Sequence, residues 1–169
     1  DILIKITIHN RSENAHPIWV LPTLWFRNLW SFELEEKPII TTVEKNILKA
    51  SHTKLDDYYF HFEEPNNILF TENETNTERL FNIPNDQPFK KDAFHEAVIH
   101  QKWDWISKKL EGTKTSPLFS LNLDGNGSKT IKLRLTKGKH HKNFLSDFDK
   151  IVDQRINEAD EFYNTIISK

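Results

Sequence analysis

An alternation of apolar and polar residues at the start of the chain predicts a β-strand. Every second position from 2 to 8 is isoleucine, which places these side chains on one face of an extended strand. Turn-forming residues at 10–14 end the pattern. The aromatic segment HPIWVLPTLWFRNLWSF at 16–32 contains Pro17 and Pro22, which exclude a continuous helix and favour a bent or edge strand.

Short apolar segments in the middle of the chain predict further strands at 39–43, 47–50 and 58–62. Polar turns of the length common in all-β domains separate them. Between 88 and 101 the apolar residues recur at spacings of three and four, which predicts one helix that crosses the sheets. Its apolar positions are Phe89, Ala93, Phe94, Ala97 and Val98.

Two alternating segments, 119–123 and 131–135, flank the turn sequence DGNGS and predict an antiparallel hairpin. Gly125 and Gly127 are the candidates for positive φ in its turn. Apolar positions within about 144–167 predict an amphipathic C-terminal helix. The expected fold is mainly β: an antiparallel β-sandwich of the supersandwich type, with one crossing helix and a C-terminal helix.

Composition limits the classes of function that fit this pattern. The 169 residues, 37% of them hydrophobic, suit one domain, so we expect 1–169 to form a β-sandwich domain or the later part of one. A net charge of −2 argues against nucleic acid and anionic membrane surfaces as partners. The absence of cysteine excludes disulfides and thiolate metal sites and favours a cytoplasmic location. A strand that begins at Asp1, with no methionine in the chain, predicts a piece of a longer protein.

The segment LFTENETNTERLF at 69–81 carries the first candidate chemistry. If it is extended, Glu72 and Glu74 share a face about 7 Å apart, a separation that invites comparison with the two carboxylates of an inverting glycosidase. Those carboxylates must approach the bond from opposite sides, whereas neighbours on one strand approach from the same side. The favoured interpretation is that these side chains cap turns and tie loops together.

Two histidine-containing segments have structural interpretations. His95 and His100 lie five residues apart on the predicted helix, a step of roughly 140°, so we expect them to point apart and to share no metal ion. The segment KGKHHK at 137–142 is basic but lacks interleaved aromatic residues, which favours a solvated connector over a nucleic-acid surface.

The segment WFRNLWSF at 25–32 is the richest in binding chemistry. Its aromatic rings can stack on sugar faces, while Arg27 and Asn28 can bond hydroxyl groups. The same residues can instead fill a core or contact another domain, since Trp and Arg are enriched at interfaces. Exposed, coplanar Trp25 and Trp30 would favour sugar binding, and buried rings would favour a scaffold.

Several segments together resemble a known family. In order and spacing, the chain is similar to bacterial glucosidase-like proteins related to the mannosyl-oligosaccharide glucosidases of glycoside hydrolase family 63, and LPTLWFRN, FTENETN and KDAFH are the most specific matches. The likeness covers nearly the whole chain. The matching segments are ILIKITIHNRSENAHPIWVLPTLWFRNLWSF, LFTENETNTERLF, NDQPFKKDAFHEAVI, GTKTSPLFSLNL with IKLRL, and INEADEFY.

The resemblance implies a non-catalytic N-terminal β-domain that supports a catalytic (α/α)6 barrel, with the last helix leading toward that barrel. The parent would be an inverting α-glucosidase that needs no metal or other cofactor. Its acid and base would lie in the barrel, so no residue here is assigned a catalytic role. Either these residues form the complete sandwich, or strands from an upstream part of the parent protein complete it. The alternatives are an autonomous carbohydrate-binding module and a purely structural interaction domain.

The resemblance also implies a surface that faces the barrel, its expected partner, and one side of a cleft that an oligosaccharide could enter. The candidate residues for this interface or cleft are Trp25, Arg27, Asn28, Trp30, Glu72, Asn73, Glu74, Asn76, Lys91, Asp92 and His95.

Overall fold

A computed structural model describes residues 1–138 and 143–167 of the chain. Most of the described residues belong to short antiparallel strands. The strands are β1 (Ile2–His9), β2 (His16–Val20), β3 (Leu24–Trp25), β4 (Ile39–Glu44), β5 (Ile47–His52), β6 (Leu55–Phe62), β7 (Asn67–Thr71), β8 (Glu111–Gly112), β9 (Lys114–Leu123) and β10 (Ser128–Lys137). The helices are α1 (Thr77–Phe81), α2 (Ala93–His100) and α3 (Phe148–Ile166), with single 3-10 turns at Trp30–Phe32 and Trp103–Trp105.

The strands form two antiparallel sheets, which confirms the predicted mainly β, sandwich-like fold. The larger sheet has the order β1-β10-β6-β5-β4-β8. In the smaller sheet β9 is central, with β2 and β3 along one edge and β7 along the other. Strand β7 and helix α1 were not predicted, because the polar residues around them obscure both periods.

Apolar side chains from both sheets meet in a buried core. The larger sheet contributes Ile40, Leu48, Phe60, Phe62 and Leu133, and the smaller sheet contributes Phe70 and Phe119. Each fully buried side chain of this size stabilises the fold by about 1.5–3 kcal/mol. The predicted alternation correctly identified the inward residues of β9 and β10, such as Phe119 and Leu133.

A helix covers the outer face of the smaller sheet, as the crossing-helix prediction expected. The apolar side of α2 packs on Leu69 and Leu118. Helix α3 starts at the buried Phe148 and confirms the predicted C-terminal helix, but much of its later apolar face is exposed. Within the two described stretches, no helix is both long enough and apolar enough to cross a membrane.

The predicted hairpin at DGNGS is wrong. Strand β9 belongs to the smaller sheet and β10 to the larger, so the turn carries the chain from one sheet to the other. The connection between β1 and β2 makes the same crossing beside it, since β1 pairs with β10 and β2 with β9. Alternation shows which face of a strand is apolar but not which strand pairs with it. Two consecutive strands in opposite sheets therefore have the same sequence pattern as the two strands of a hairpin.

The glycines of this turn have a different role from the one predicted. Asn126, with φ 57°, is the residue in the left-handed region, and Gly125 and Gly127 are not. The Gly127 N–H donates to the Asp124 carbonyl and closes a four-residue turn in which Asn126 is third. Asparagine tolerates positive φ at this position. Gly125 is required for space instead, because a Cβ there would lie 2.0 Å from the backbone oxygen of Glu13. Most of the connector KGKHHK, residues 139–142, lies outside the described residues.

Candidate functional site

The candidate site begins where the chain passes between sheets at Gly112 and Thr113. Strand β8 ends at the edge of the larger sheet, and β9 starts directly afterwards in the smaller one. Gly112 packs against the end of β7, where an added Cβ would lie only 2.5 Å from the backbone oxygen of Thr71. This close approach brings the segment FTENETN against the corner.

Thr113 joins three segments that are far apart in the sequence. Its hydroxyl donates to Glu72 Oε2 at 2.7 Å and accepts a hydrogen bond from the Asn73 backbone N–H at 2.7 Å. The carbonyl oxygen of Thr113 accepts from the Phe26 N–H at 3.0 Å, and Asn73 Nδ2 donates to the Phe26 carbonyl at 2.8 Å. FTENETN, WFRN and the start of β9 are therefore held as one unit.

Glu74 accepts hydrogen bonds from three donors. Trp30 Nε1 donates to its carboxylate at 2.9 Å, Lys90 Nζ at 2.8 Å and Lys37 Nζ at 3.2 Å. Lys37 Nζ also lies 3.2 Å from Glu72 Oε1, so one lysine bridges both glutamates. The two carboxylates thus converge on a shared cation, in the manner of side chains that tie loops together.

These contacts fix the charge of the groups involved. Partial burial works to raise the pKa of Glu74, but hydrogen bonds from Lys90, Trp30 and Lys37 outweigh it and lower the pKa to about 2. Burial works to lower the pKa of Lys90, and its bonds to Asp86 and Glu74 raise it overall. Burial also opposes the charge of Lys37, whose pKa Glu72 and Glu74 raise. Glu74 is therefore ionised throughout the physiological range and has no proton to donate.

A second polar cluster surrounds the buried Asn76, which caps the N-terminus of α1. Its Oδ1 accepts from the Arg79 N–H at 3.0 Å and from Asn85 Nδ2 at 2.8 Å. Its Nδ2 donates to both carboxylate oxygens of Asp92, at 3.2 and 3.1 Å. Arg79 also pairs with Asp92 at 3.1 Å. Asn76 and Asp92 thus join α1 to the start of α2, and their polar groups bind within the protein.

Lys91 and His95 are exposed. The Lys91 backbone N–H donates to the Glu74 carbonyl at 3.1 Å, which connects the two motifs. The prediction that His95 and His100 point apart is wrong, since their ring centroids are 5.8 Å apart in an edge contact. Helical side chains lean toward the N-terminus, so His100 lies back over the preceding turn. In residues 1–138 and 143–167 no group of three His, Asp or Glu side chains could hold a metal ion.

The aromatic segment 25–32 divides between exposed and engaged side chains. Trp25 is 55% exposed, whereas Trp30 is half-buried and bonded to Glu74. The Asn28 side chain is occupied by Ser31, through bonds of 2.9 and 3.1 Å. Arg27 is exposed and forms no ion pair with the residues that the structure describes. The two tryptophans therefore do not form one flat platform.

We call the contacts of Glu72 and Glu74 with Trp30, Lys37, Lys90 and Thr113 the first polar cluster. An open cleft of about 950 Å³ lies over this cluster. Its walls include Trp25, Phe32 and Phe81, while Glu74 and Lys90 lie along its polar side. Phe32 and Phe81 are 70% and 62% exposed, although phenylalanine is usually buried, and both border the same cleft. The cleft is thus an internally hydrogen-bonded polar surface bordered by exposed aromatic rings.

The structure brings most of the predicted site residues together, and it adds three that were missed. Trp30, Glu72, Asn73 and Glu74 meet in the first cluster, Asn76 and Asp92 meet in the second, and His95 does not line the cleft. The missed residues are Lys37, Lys90 and Thr113. Their only signal was that Lys90 and Thr113 fall in segments quoted for the family resemblance, NDQPFKKDAFHEAVI and GTKTSPLFSLNL.

Comparison with known proteins shows that the chain is similar to a yeast protein. No family model matches the chain. Over 201 aligned residues the chain is 27% identical to uncharacterized protein YMR196W of Saccharomyces cerevisiae. The alignment covers 96% of this chain and 18% of the yeast protein, so the chain spans less than a fifth of that relative's length.

Proposed function

We propose that this chain is the non-catalytic β-domain of a glucosidase-like glycoside hydrolase, which supports an (α/α)6 catalytic barrel and borders its substrate cleft. The observation that carries the proposal is the cleft surface: an ionised glutamate, fully engaged by three donors, lies beneath a rim of exposed aromatic rings. This arrangement suits contact with another folded surface better than it suits acid–base chemistry.

The electrostatics of Glu74 argue against catalysis within this chain. A glycosidase acid must hold a proton near neutral pH, which requires a raised pKa. The pKa of Glu74 is instead lowered to about 2, because its hydrogen bonds outweigh the effect of partial burial. Glu72 approaches from the same side and shares Lys37 with it. The pair therefore lacks the opposed geometry that hydrolysis needs.

The exposed aromatic rim supports a role as an interface. Trp25, Phe32 and Phe81 border one cleft, and contiguous exposed apolar surface is typical of protein interaction sites. The polar groups beneath the rim bind one another, so a partner could cover them without leaving buried charges unpaired. Arg27 is an exposed cation two residues after Trp25 in the chain and is available to a carboxylate of the partner.

Two further surfaces fit a domain that continues into others. Helix α3 exposes Ile156, Phe162 and Ile166 on its later turns, where a following barrel would cover them. Ile2 lies on the edge strand β1 of the larger sheet and is exposed. Ile4, two residues further along the same face, pairs with the fully buried Leu133. An upstream strand would cover that corner. The much greater length of the yeast relative is compatible with such an arrangement.

Carbohydrate binding by the chain alone is the second candidate function, and Trp25 is the observation that favours it. The ring is exposed on a cleft large enough for sugar residues, with Asn73 and Thr75 nearby as hydrogen-bonding groups. Against it, Trp30 is half-buried and the Asn28 side chain is already bonded to Ser31. One exposed ring makes a weaker sugar platform than two.

Titration calorimetry separates these functions. The chain is titrated with the separately expressed barrel of its parent protein and with gluco-oligosaccharides, as wild type and as Trp25→Ala. Trp19→Ala is the control, since Trp19 is exposed on the edge strand β2 and does not line the cleft. We expect binding to the barrel that Trp25→Ala weakens and Trp19→Ala does not. Tight oligosaccharide binding lost in Trp25→Ala, with no affinity for the barrel, would make the chain a carbohydrate-binding module.

A further inference from the structure

We propose that Asn126 is a site of spontaneous deamidation and that a clamp formed by residues 10–12 controls its rate. Of all the asparagines in the chain, Asn126 alone is followed by glycine, and its side chain is exposed. A glycine has no side chain to shield its backbone nitrogen, so the bond between Asn126 and Gly127 is the one most open to attack from within the chain.

The reaction needs only water as a co-reactant. The Gly127 backbone nitrogen, after losing its proton, attacks Cγ of Asn126; the Cγ–Nδ2 bond breaks and ammonia leaves. The product is a five-membered succinimide. Water then opens the ring at either carbonyl, which gives aspartate or isoaspartate. In isoaspartate the main chain runs through Cγ and is one carbon longer.

The folded turn engages the backbone N–H groups of both residues that react. Gly127 N–H donates to the Asp124 carbonyl at 3.0 Å, which protects the proton that must be lost. Asn126 N–H donates to the Ser12 carbonyl at 2.9 Å and keeps the residue at φ 57°. Asn10 completes the clamp, since its N–H donates to the Gly127 carbonyl at 2.9 Å and its Nδ2 to the Asp124 carbonyl at 3.0 Å.

The reaction therefore proceeds from a locally opened turn. The clamp consists of hydrogen bonds at the end of the sandwich, and the residues from Asp124 to Gly127 are exposed or half-buried, so this region can open without unfolding the core. Deamidation then makes the opening permanent. It adds a negative charge beside Asp124 and Glu13, and isoaspartate lengthens the main chain where Gly125 already touches the Glu13 carbonyl. The contacts between the β1–β2 connection and the β9–β10 turn would then be disrupted.

Peptide mapping by mass spectrometry tests the proposal. The purified chain is incubated in warm, mildly alkaline buffer and sampled over weeks, with isoaspartate methyltransferase labelling to count the isoaspartate product. We expect deamidation first at Asn126. Asn10→Ala should accelerate it about three- to tenfold, the factor that one or two hydrogen bonds contribute to a local opening equilibrium. Asn122→Ala, an exposed change on the neighbouring β9, should leave the rate unchanged.

Each outcome decides the proposal. Faster reaction at any other asparagine overturns the site, and an unchanged rate in a folded Asn10→Ala chain overturns the clamp. Circular dichroism establishes whether the variant is folded. If Asn10→Ala does not fold, wild-type chain in buffer is compared with wild-type chain in urea. Deamidation should then be much faster in urea, and equal rates would contradict control by the folded turn.

Discussion

At the scale of single residues, Lys90 is the side chain on which the cleft depends most. It is only 5% exposed and lies between Glu74 and Asp86. Removing one partner of a buried ion pair leaves the other without compensation. We expect Lys90→Met to reduce the free energy of unfolding by about 2–3 kcal/mol. This is less than the roughly 3–5 kcal/mol typical of a broken buried pair, because Trp30 and Lys37 still donate hydrogen bonds to Glu74.

Urea denaturation measures this loss against a surface control. Lys108 is an exposed lysine whose contact with the exposed Asp104 is 3.6 Å long. Lys108→Met should therefore change stability by less than about 0.5 kcal/mol. Equal effects of the two substitutions would mean that the first polar cluster does not stabilise the fold.

The pKa of Glu74 predicts how stability depends on pH. The folded-state pKa, about 2, lies below the ordinary value of 4.5, so the contribution of Glu74 is complete above about pH 4.5. It is lost as pH falls from there toward 2. We expect wild-type stability to decline across this window and Glu74→Gln, which cannot titrate at this position, to decline less steeply. Parallel profiles in denaturation experiments at each pH would show that Glu74 is not the group responsible.

The same residues predict that the chain alone hydrolyses no α-glucoside. Glu74 has no proton to donate, and Glu72 lies on the same side and shares Lys37. A sensitive assay with aryl α-glucosides and gluco-oligosaccharides should give no turnover above a buffer blank. Reproducible turnover that disappears in Glu72→Gln or Glu74→Gln would contradict this.

The sequence predicted a loop-tying role for Glu72 and Glu74 but did not predict the residues that bind their carboxylates. The expectation that Glu72 and Glu74 tie loops together agrees with their contacts to Thr113, Lys37 and Lys90. Those three partners were missed because lysine and threonine are usually exposed, and nothing in the local pattern marks the two that are buried, Lys90 and Thr113. Lys37 is exposed, and only the folding of distant segments brings it to both glutamates.

At the scale of elements, alternation predicted the strands better than their partners. The apolar faces of β9 and β10 were identified correctly, yet the two strands lie in different sheets. Pairing depends on where the whole chain lies, and in this fold β10 pairs with β1, far away in sequence. The turn residues DGNG suit a sharp reversal of either kind, so local sequence could not decide between a hairpin and a crossing.

The crossing at Gly112 gives a prediction about packing. An alanine there would place Cβ 2.5 Å from the Thr71 carbonyl, and backbone on both sides limits relief. We expect Gly112→Ala to reduce the free energy of unfolding by about 2–3 kcal/mol, the upper part of the usual range for overpacking. Thermal and chemical denaturation measure the change.

Gly138→Asn is the control for an added side chain. A Cβ at Gly138 meets no atom within 4 Å, so the only strain comes from its φ of 78°, which asparagine tolerates better than most residues. We expect a loss of no more than about 1 kcal/mol, smaller than that of Gly112→Ala. A Gly112→Ala chain as stable as Gly138→Asn would mean that β7 and β8 separate easily.

At the scale of the whole molecule, the exposed apolar surfaces are unevenly distributed. They lie at the cleft rim, on the later turns of α3 and on the first residues of β1, while the core between the sheets is well filled. Sequence periodicity predicted α3 as amphipathic, and amphipathic helices normally bury their apolar face. The proposed neighbouring domain that would cover this face lies outside the chain, so the chain's own pattern could not predict its exposure.

The final prediction concerns the contact between this chain and the proposed barrel. Arg27 is exposed two residues after Trp25 of the aromatic rim and has no ion pair within the described part of the chain, so its guanidinium is free to bind a carboxylate of a partner. Arg11→Ala is the matched control, because Arg11 is also exposed but lies in the turn between β1 and β2, outside the segment WFRN. We expect Arg27→Ala to weaken association by about 1–3 kcal/mol.

Calorimetric titration of both variants against the barrel gives the comparison, repeated at two salt concentrations. If Arg27 pairs with a partner carboxylate, added salt should weaken the wild-type complex more than the Arg27→Ala complex, because the variant has lost one attraction that salt screens. Equal losses in Arg27→Ala and Arg11→Ala would indicate a general effect of net charge. In that case the barrel would have to contact a face of this domain that excludes the segment WFRN.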